Sequence, residues 1–324
     1  MERYRQAAEH GNASAQAILG WMYATGAGVV KDAAEAAKWY RKAAEQGHAS
    51  AQFTLGVMYA AGQGVAKDPA EAATWYRRAA AQGNAPAQFN LSLMYATGEG
   101  VGKDPLEAVR CCRRAAEGGY AEAQCDLGLR YATGSGVGKD PAEAAKWFQL
   151  AADQEHGEAQ YNLGMRYAAG EGVAKNAVEA VRWLRLPANQ GDPRAGLQLG
   201  LMYAAGEGVP KDLKESVRWF RMAAEMGNVA AQYNLGVKLA AGEGVERDEA
   251  EALAWLGLSA LAGHPEAIKR CDGLERSVGR PIVLAAQKRR NEIARQIEAN
   301  QARAGNAPSP AGSEVPAPVA RPGS

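Results

Sequence analysis

Apolar and small residues recur along this chain with a period of 36 residues. Every period has a leucine at the same position: Leu19, Leu55, Leu91, Leu127, Leu163, Leu199 and Leu235. Tyrosine follows four residues later in each period except the last, where Leu239 takes its place. Counted from Asn12, seven consecutive periods cover residues 12–263 without an insertion. A register this regular predicts stacked repeats rather than two globular domains.

Each period predicts two helices. In the first helix, Ala15, Leu19 and Tyr23 are four residues apart and therefore share one face. A Gly-x-Gly-Val segment follows in every period, and glycine readily adopts the left-handed conformation that ends a helix. The second helix begins at Asp or Asn, three residues before a glutamate, as in Asp32 and Glu35. This is the capping-box pattern, in which the cap accepts a backbone N–H and the glutamate reaches back to the N–H of the cap.

The second helix of most periods carries an aromatic pair, Trp39 and Tyr40 in the first. The pair could form an aromatic binding box, but it recurs in register with the core, which favours packing between helices. One helix pair cannot bury its apolar face alone, so neighbouring pairs must stack.

One period has the pattern A-x-A-Q-x-x-L-G-x-x-Y-x-x-G-x-G-V-x-x-D-x-x-E-A-x-x-W-Y-x-x-A-A-x-x-G. This pattern closely resembles the Sel-one-like repeat (SLR), a branch of the tetratricopeptide-type α-solenoids, over residues 12–263. The resemblance implies an all-α, right-handed superhelix with the first helices on its inner face and the second helices outside. It also implies a non-enzymatic scaffold or adaptor that gathers protein partners.

Departures from the pattern predict where the array is weak. In the third repeat, Cys111 and Cys112 replace the aromatic pair, which predicts underpacking. Pro187 lies late in the second helix of the fifth repeat, and Gly196 replaces a glutamine in the sixth. Proline inside a helix removes a backbone donor and glycine weakens a helix, so this junction is expected to bend or open. Glu155 stands where the other periods have glycine.

The two ends differ from the repeats. Residues 1–11 match the end of a second helix, so the chain opens inside a partial repeat that either caps the array or continues an upstream segment. Residues 264–303 are expected to form capping helices. Residues 304–324 are rich in Pro, Ala, Ser and Gly, which predicts a disordered tail. The compartment stays open: cytoplasmic for the chain as it stands, periplasmic or secreted if a signal peptide lies upstream.

Composition excludes several classes of function. The formal net charge of +1 gives no global attraction to nucleic acid, and no apolar run approaches the length of a membrane span. Four cysteines at positions 111, 112, 125 and 271 do not form a disulfide framework. A monomer is expected.

No cofactor, metal or catalytic cluster is predicted either. His48, His156 and His264 occupy the same repeat position, so they lie far apart and are interpreted as helix-start residues. The glycine-rich segment from Gly98 to Asp104 differs in spacing from a phosphate loop and lacks its Ser or Thr.

Partner binding is predicted on a stripe of the first helices equivalent to positions 14, 18, 22 and 25, which share one face. Repeats three to seven contribute two side chains each: Asn90, Met94, Asp126, Arg130, Asn162, Arg166, Gln198, Met202, Asn234 and Lys238. The basic members favour a protein or peptide segment of acidic character. Two alternatives stay open: the asparagines bond neighbouring loops, or the interface lies on the outer helices around Arg182 and Arg218.

A rival hypothesis is an enzyme, or an enzyme-regulatory subunit, of a bacterial cell-envelope pathway. Ionisable residues converging in one pocket would favour it, whereas the charges of this chain are spread along the array. A β-lactamase-like activity is not favoured, because the paired cysteines of the SLR proteins linked to it are missing, as is a Ser-x-x-Lys motif in the required context.

Overall fold

The computed structural model describes residues 2–305, and every regular element in that range is an α-helix. The chain divides into two compact units, one ending at Gln154 and the other beginning at Glu155. We call them the N-terminal and C-terminal units.

The N-terminal unit begins with a partial repeat, and four helix pairs follow it. Its helices are α1 Glu2–Glu9, α2 Ala13–Thr25, α3 Ala33–Glu45, α4 Ala49–Ala61, α5 Pro69–Ala81, α6 Ala85–Thr97, α7 Pro105–Glu117, α8 Ala121–Thr133 and α9 Pro141–Ala152. Within this unit, each helix packs against the next one in the chain, from α1 on α2 to α8 on α9. Even-numbered helices in this unit are the first helices of their repeats.

The C-terminal unit has three helix pairs and two closing helices. Its helices are α10 Gly157–Ala169, α11 Ala177–Asn189, α12 Pro193–Ala205, α13 Leu213–Glu225, α14 Val229–Ala241, α15 Glu249–Leu261, α16 Pro265–Ser277 and α17 Arg280–Gly305. The long helix α17 packs on α15 and α13, and its Ile293 and Ile297 are buried there. Apart from residues 304 and 305, which end α17, the predicted tail lies outside the described residues.

The second helices are capped by their Asp or Asn, but not by the full capping box. In the first repeat, Asp32 Oδ1 accepts the backbone N–H groups of Ala34 and Glu35 at 2.9 and 3.0 Å. The N–H of Asp32 donates to the Tyr23 carbonyl at 2.9 Å, so the glutamate is not needed to satisfy it. Glu35 instead binds Lys38 at 2.9 Å. The expectation that Glu35 reaches back to the cap is therefore wrong.

Two loop glycines show why Gly-x-Gly recurs. Gly26 ends α2 with a φ of 83°, which is costly for a residue with a side chain. Gly64 has a φ of 70° and lies so close to the preceding second helix that a Cβ would overlap the carbonyl of Ala33. The first glycine stops a helix, and the second lets one repeat approach the next.

Inside the repeats, a large side chain of the second helix lies against a glycine of the first. A Cβ at Gly20 would stand 3.0 Å from the ring of Tyr40. In the third repeat both partners change: Ser92 replaces the glycine and Cys112 the ring, and both are fully buried. The larger residue on the first helix therefore offsets part of the volume lost at Cys112.

The junction between the fifth and sixth repeats keeps its helices but loses a contact. Helix α11 runs unbroken through Pro187, whose carbonyl accepts the N–H groups of Gln190 and Asp192 at 3.1 and 2.9 Å. In the first repeat, Gln16 donates to the carbonyl of Ala8 at 3.0 Å. Gly196, the counterpart of Gln16, cannot make this bond between successive repeats, and the methyl group of Met222 lies against it instead.

Candidate partner-binding surface

The solvent-facing line of the first helices passes through the equivalents of position 21, not 22. In α6, Leu93 is 42% exposed, whereas its neighbour Met94 is 9% exposed. In α12, Leu201 is 42% and Met202 6% exposed. The expectation that these two methionines face solvent is therefore wrong. Positions 14, 18, 21 and 25 lie on one face of a helix with 3.6 residues per turn, and position 22 is turned roughly 100° from position 21 toward the core.

In the N-terminal unit, the predicted polar residues of the stripe face the preceding repeat. Asn90 hydrogen-bonds the hydroxyl of Tyr76, and burial raises the pKa of that tyrosine to about 12. Asp126 accepts a bond from Arg130 at 2.6 Å and one from the thiol of Cys112 at 3.2 Å. Arg130 is therefore neutralised within its own helix, and only 14% of its side chain is exposed.

In the C-terminal unit, the predicted residues make hydrogen bonds or ion pairs within their own repeats. Asn162 and Asn234 each donate to the backbone carbonyl four residues earlier, at 2.8 Å. Arg166 pairs with the loop residue Glu171 at 2.8 Å, and its side chain is 13% exposed. Lys238 pairs with Glu243 at 2.6 Å, with 17% of its side chain exposed. Gln198 is half-buried.

The first helices also leave apolar side chains wholly or partly exposed to solvent. At the equivalents of positions 17 and 21, the N-terminal unit presents Phe53 with Val57 and Phe89 with Leu93. At the same positions the C-terminal unit presents Tyr161 with Met165, Leu197 with Leu201 and Tyr233 with Val237. We call the position-21 residues the inner row. Sequence reasoning missed the inner row because an apolar residue in every repeat is also the signature of a core position.

The cations of the second helices are more exposed but are also paired. The side chains of Arg182 and Arg218 are 67% and 64% exposed. They bind Glu179 at 3.2 Å and Glu215 at 2.6 Å. Exposed pairs of this kind contribute little to stability, but they lower the free charge on this face.

The repeat-position histidines cap first helices. The Nδ1 atoms of His48, His156 and His264 accept a backbone N–H at 3.2, 3.3 and 3.3 Å respectively. The interpretation of these residues as helix-start residues is therefore confirmed. Within residues 2–305 the structure brings together no group of His, Cys, Asp or Glu that could hold a metal ion. No helix in that range is both long and apolar enough to cross a bilayer.

The repeat itself decides the family. Seven consecutive matches to the Sel1 repeat model cover residues 13–48, 49–84, 85–120, 121–156, 157–192, 193–228 and 229–264. The chain belongs to the Sel1 repeat family. It is an all-α solenoid, and Sel1 repeat proteins generally serve as scaffolds for protein–protein interactions rather than as enzymes.

Solved structures of similar proteins share this fold. The chain is 35% identical to a protective antigen of uropathogenic Escherichia coli strains that displays an SLR fold, with a TM-score of 0.82. That match covers 93% of this chain and 67% of the antigen. A Sel1 repeat protein from Oxalobacter formigenes is 36% identical with a TM-score of 0.65, covering 84% of this chain and 78% of that one. The search of curated proteins found no match.

Proposed function

We propose that this Sel1 repeat protein is a scaffold that binds a segment of a partner protein along the inner row of its C-terminal unit. The observation that carries the proposal is the exposure of large apolar side chains at one repeat position, Leu93 at 42% and Leu129 at 37% in the N-terminal unit and Leu201 at 42% in the C-terminal unit. A large apolar side chain left exposed at the same position of several repeats offers a partner apolar area to cover. Covering them contributes about 25 cal/mol per Å² of apolar area removed from water.

The charges beside the inner row support a role in positioning more than in affinity. Arg130, Arg166 and Lys238 are each satisfied by an acidic residue of this chain. A partner carboxylate would have to compete with that residue, so the net gain would be small. These three cations therefore orient the segment, and the apolar side chains hold it.

The test compares one inner-row variant with one matched control in the same unit. Leu201→Glu places a charge on the inner row, whereas Val178→Glu places the same charge on an exposed apolar residue at the start of α11. Each tagged full-length variant is expressed in the native host, and co-purified proteins are quantified by mass spectrometry. We expect Leu201→Glu to reduce the principal partner by about tenfold or more, a loss of about 1.4 kcal/mol, and Val178→Glu to leave it unchanged.

Circular dichroism checks that both variants keep their helix content. Equal recovery of the partner by both variants would contradict the proposal. The exposed cations of the second helices, Arg182 and Arg218, would then be the next surface to test.

A further inference from the structure

The inner row is interrupted at α16. Positions equivalent to 21 hold a large apolar residue in every repeat, ending with Val237 in α14. Helix α16 has the cap of a first helix, His264, yet Gly273 stands at the equivalent position. A Cβ added to Gly273 would meet no atom within 4 Å. The missing side chain therefore leaves open space where the preceding repeats are filled.

That space is a pocket of about 460 Å³ between α14, α15 and α16. Its apolar part is formed by Val237, Ala240, Leu256 and Leu274. The volume lies in the lower part of the range of roughly 300–1,000 Å³ that ligand sites occupy. Helix α17 packs on α13 and α15, and none of its residues lines the pocket.

The polar edge of the pocket carries an unbalanced positive charge. Glu266, Lys269 and Arg270 line it, and Lys269 binds Glu266 at 2.9 Å. Arg270 is exposed and has no ion pair with any residue in the described part of the chain. It differs in this respect from Arg166 and Lys238, which acidic residues of this chain already neutralise.

We propose that this pocket anchors the partner segment, taking one large apolar side chain while Arg270 binds a carboxylate next to it. The inference rests on the proposed function and names the partner's chemistry: a peptide segment in which an apolar residue lies beside Asp, Glu or a terminal carboxyl group. Arginine binds a carboxylate through two parallel N–H groups, which adds direction to the apolar contact. In this proposal Arg270, rather than Arg130, Arg166 or Lys238, is the residue that selects an acidic partner segment.

The first variant pair fills the pocket by different amounts. Gly273→Leu restores the side chain of the inner row without a clash at the Cβ atom, and replacing a glycine inside a helix also favours the helix. Gly273→Ala is the matched control, because it improves the helix equally well and leaves most of the space open. The second pair removes a charge: Arg270→Gln at the pocket, and Arg276→Gln on the same helix but outside the lining.

The experiment selects peptides from a phage-displayed random library on the immobilised full-length protein. The enriched peptides are labelled, and their affinities are measured by fluorescence polarisation. We expect enriched sequences to pair Leu, Ile, Met or Phe with an acidic residue. Gly273→Leu and Arg270→Gln should each weaken binding by about tenfold, and Gly273→Ala and Arg276→Gln should leave it within a factor of about two.

The other possible outcomes would contradict either the pocket as the anchor or the acidic peptide as its occupant. If the peptides bind Gly273→Leu as tightly as the parent protein but lose affinity for Leu201→Glu, the scaffold function stands and the anchor is wrong. Selection of apolar peptides without acidic residues would overturn the role of Arg270. If no peptide is enriched while anilinonaphthalene sulfonate binds the parent and not Gly273→Leu, the pocket takes a small apolar anion, and the peptide occupant is wrong.

Discussion

At the scale of single residues, the glutamate three residues after the second-helix cap has different partners in the first and second repeats. In the second repeat it accepts the indole N–H of Trp75, with Glu71 Oε1 at 2.9 Å. In the first repeat a lysine stands where the second has Thr74, and Glu35 binds Lys38 instead. The buried indole N–H of Trp39 is then left without a partner. An exposed ion pair has replaced a buried hydrogen bond.

This competition predicts that Lys38→Thr stabilises the first repeat. Glu35 becomes free to accept the N–H of Trp39, and satisfying a buried donor contributes about 1 kcal/mol. The lost surface pair contributes little. Protection of α3 amides in native-state hydrogen exchange is expected to rise. Arg110→Thr is the control, because it breaks the pair with Glu107 in a repeat where Cys111 replaces the tryptophan, and any gain there would contradict the explanation.

Backbone strain at Glu155 leads to a second prediction. Glu155 has a φ of 64°, the only positive value among non-glycine residues of the described chain. Its counterparts, such as Gly119 and Gly191, have values of 86° and 91°. Glu155→Gly should raise the free energy of unfolding by about 1 kcal/mol, measured by urea denaturation. Glu155→Ala keeps the strain and removes the carboxylate, so an equal gain from both variants would assign the effect to charge.

Ser92 and Cys112, which replace the glycine and the ring of the first repeat, allow a double-mutant test. Cys112→Tyr restores the ring of the consensus but meets the side chain of Ser92 instead of a glycine, so we expect a loss of about 1–3 kcal/mol. Ser92→Gly together with Cys112→Tyr should recover most of it, because the two sites are coupled. Additive losses in thermal denaturation would show that the two residues do not share a space.

At the scale of helices, His48 makes the start of α4 sensitive to pH. Its Nδ1 accepts the N–H of Ala51, which requires the unprotonated ring. Burial lowers its pKa from the ordinary value of 6.5, so the unfolded chain binds the proton more readily. Its contribution to stability is therefore fully present above about pH 6.5 and is lost as the pH falls through the folded-state pKa.

His48→Asn should remove this part of the pH dependence. Asparagine caps the equivalent helices at Asn12 and Asn84, where its Oδ1 accepts the same N–H at 2.9 Å without titrating. Urea denaturation of the parent and the variant is compared from pH 8 to 5. The urea midpoint of the parent should fall relative to that of the variant as the pH is lowered. A difference that stays constant over this range would contradict the role of the cap.

The junction of α11 and α12 should open more readily than its counterparts. Interior proline costs about 3 kcal/mol or more. Gly196 also lacks the side-chain hydrogen bond by which Gln16 and Gln52 bind the preceding repeat. Hydrogen exchange is expected to be faster at this junction than at α3 and α4, and Pro187→Ala should slow it. Equal protection at the two junctions would remove the argument for a local hinge.

At the scale of the whole molecule, stability is distributed over contacts between neighbours. Arginines of second helices donate to the tyrosine hydroxyl of the next repeat, as Arg113 does to Tyr131 at 2.8 Å and Arg185 to Tyr203 at 2.7 Å. Leu239 has no hydroxyl, and Arg221 binds Glu251 at 2.5 Å instead. Because each repeat depends on its neighbours, local measurements are more informative here than one global free energy of unfolding.

The sequence by itself determined the helices and the repeat. Glycine stops, Asp caps and apolar spacing act within a few residues, so α2 ends at its glycine and α3 begins at its aspartate, as their local signals predicted. The role of the histidines as helix-start residues was predicted in the same way. They occupy the same position in different repeats, which excluded a metal or catalytic site formed by all three. Membership of the family followed from the sevenfold recurrence of the 36-residue pattern, which is a property of the sequence and does not depend on how the helices pack.

Only the tertiary structure decided which face stays exposed and which charges remain free. Leu93 and Met94 are both apolar neighbours on one helix, and their burial depends on where the adjacent helices lie. Arg166 and Arg270 are equally charged, but one lies beside a loop glutamate and the other beside an open pocket. Contacts of this kind join residues from different helices, so they depend on the packed arrangement rather than on local spacing.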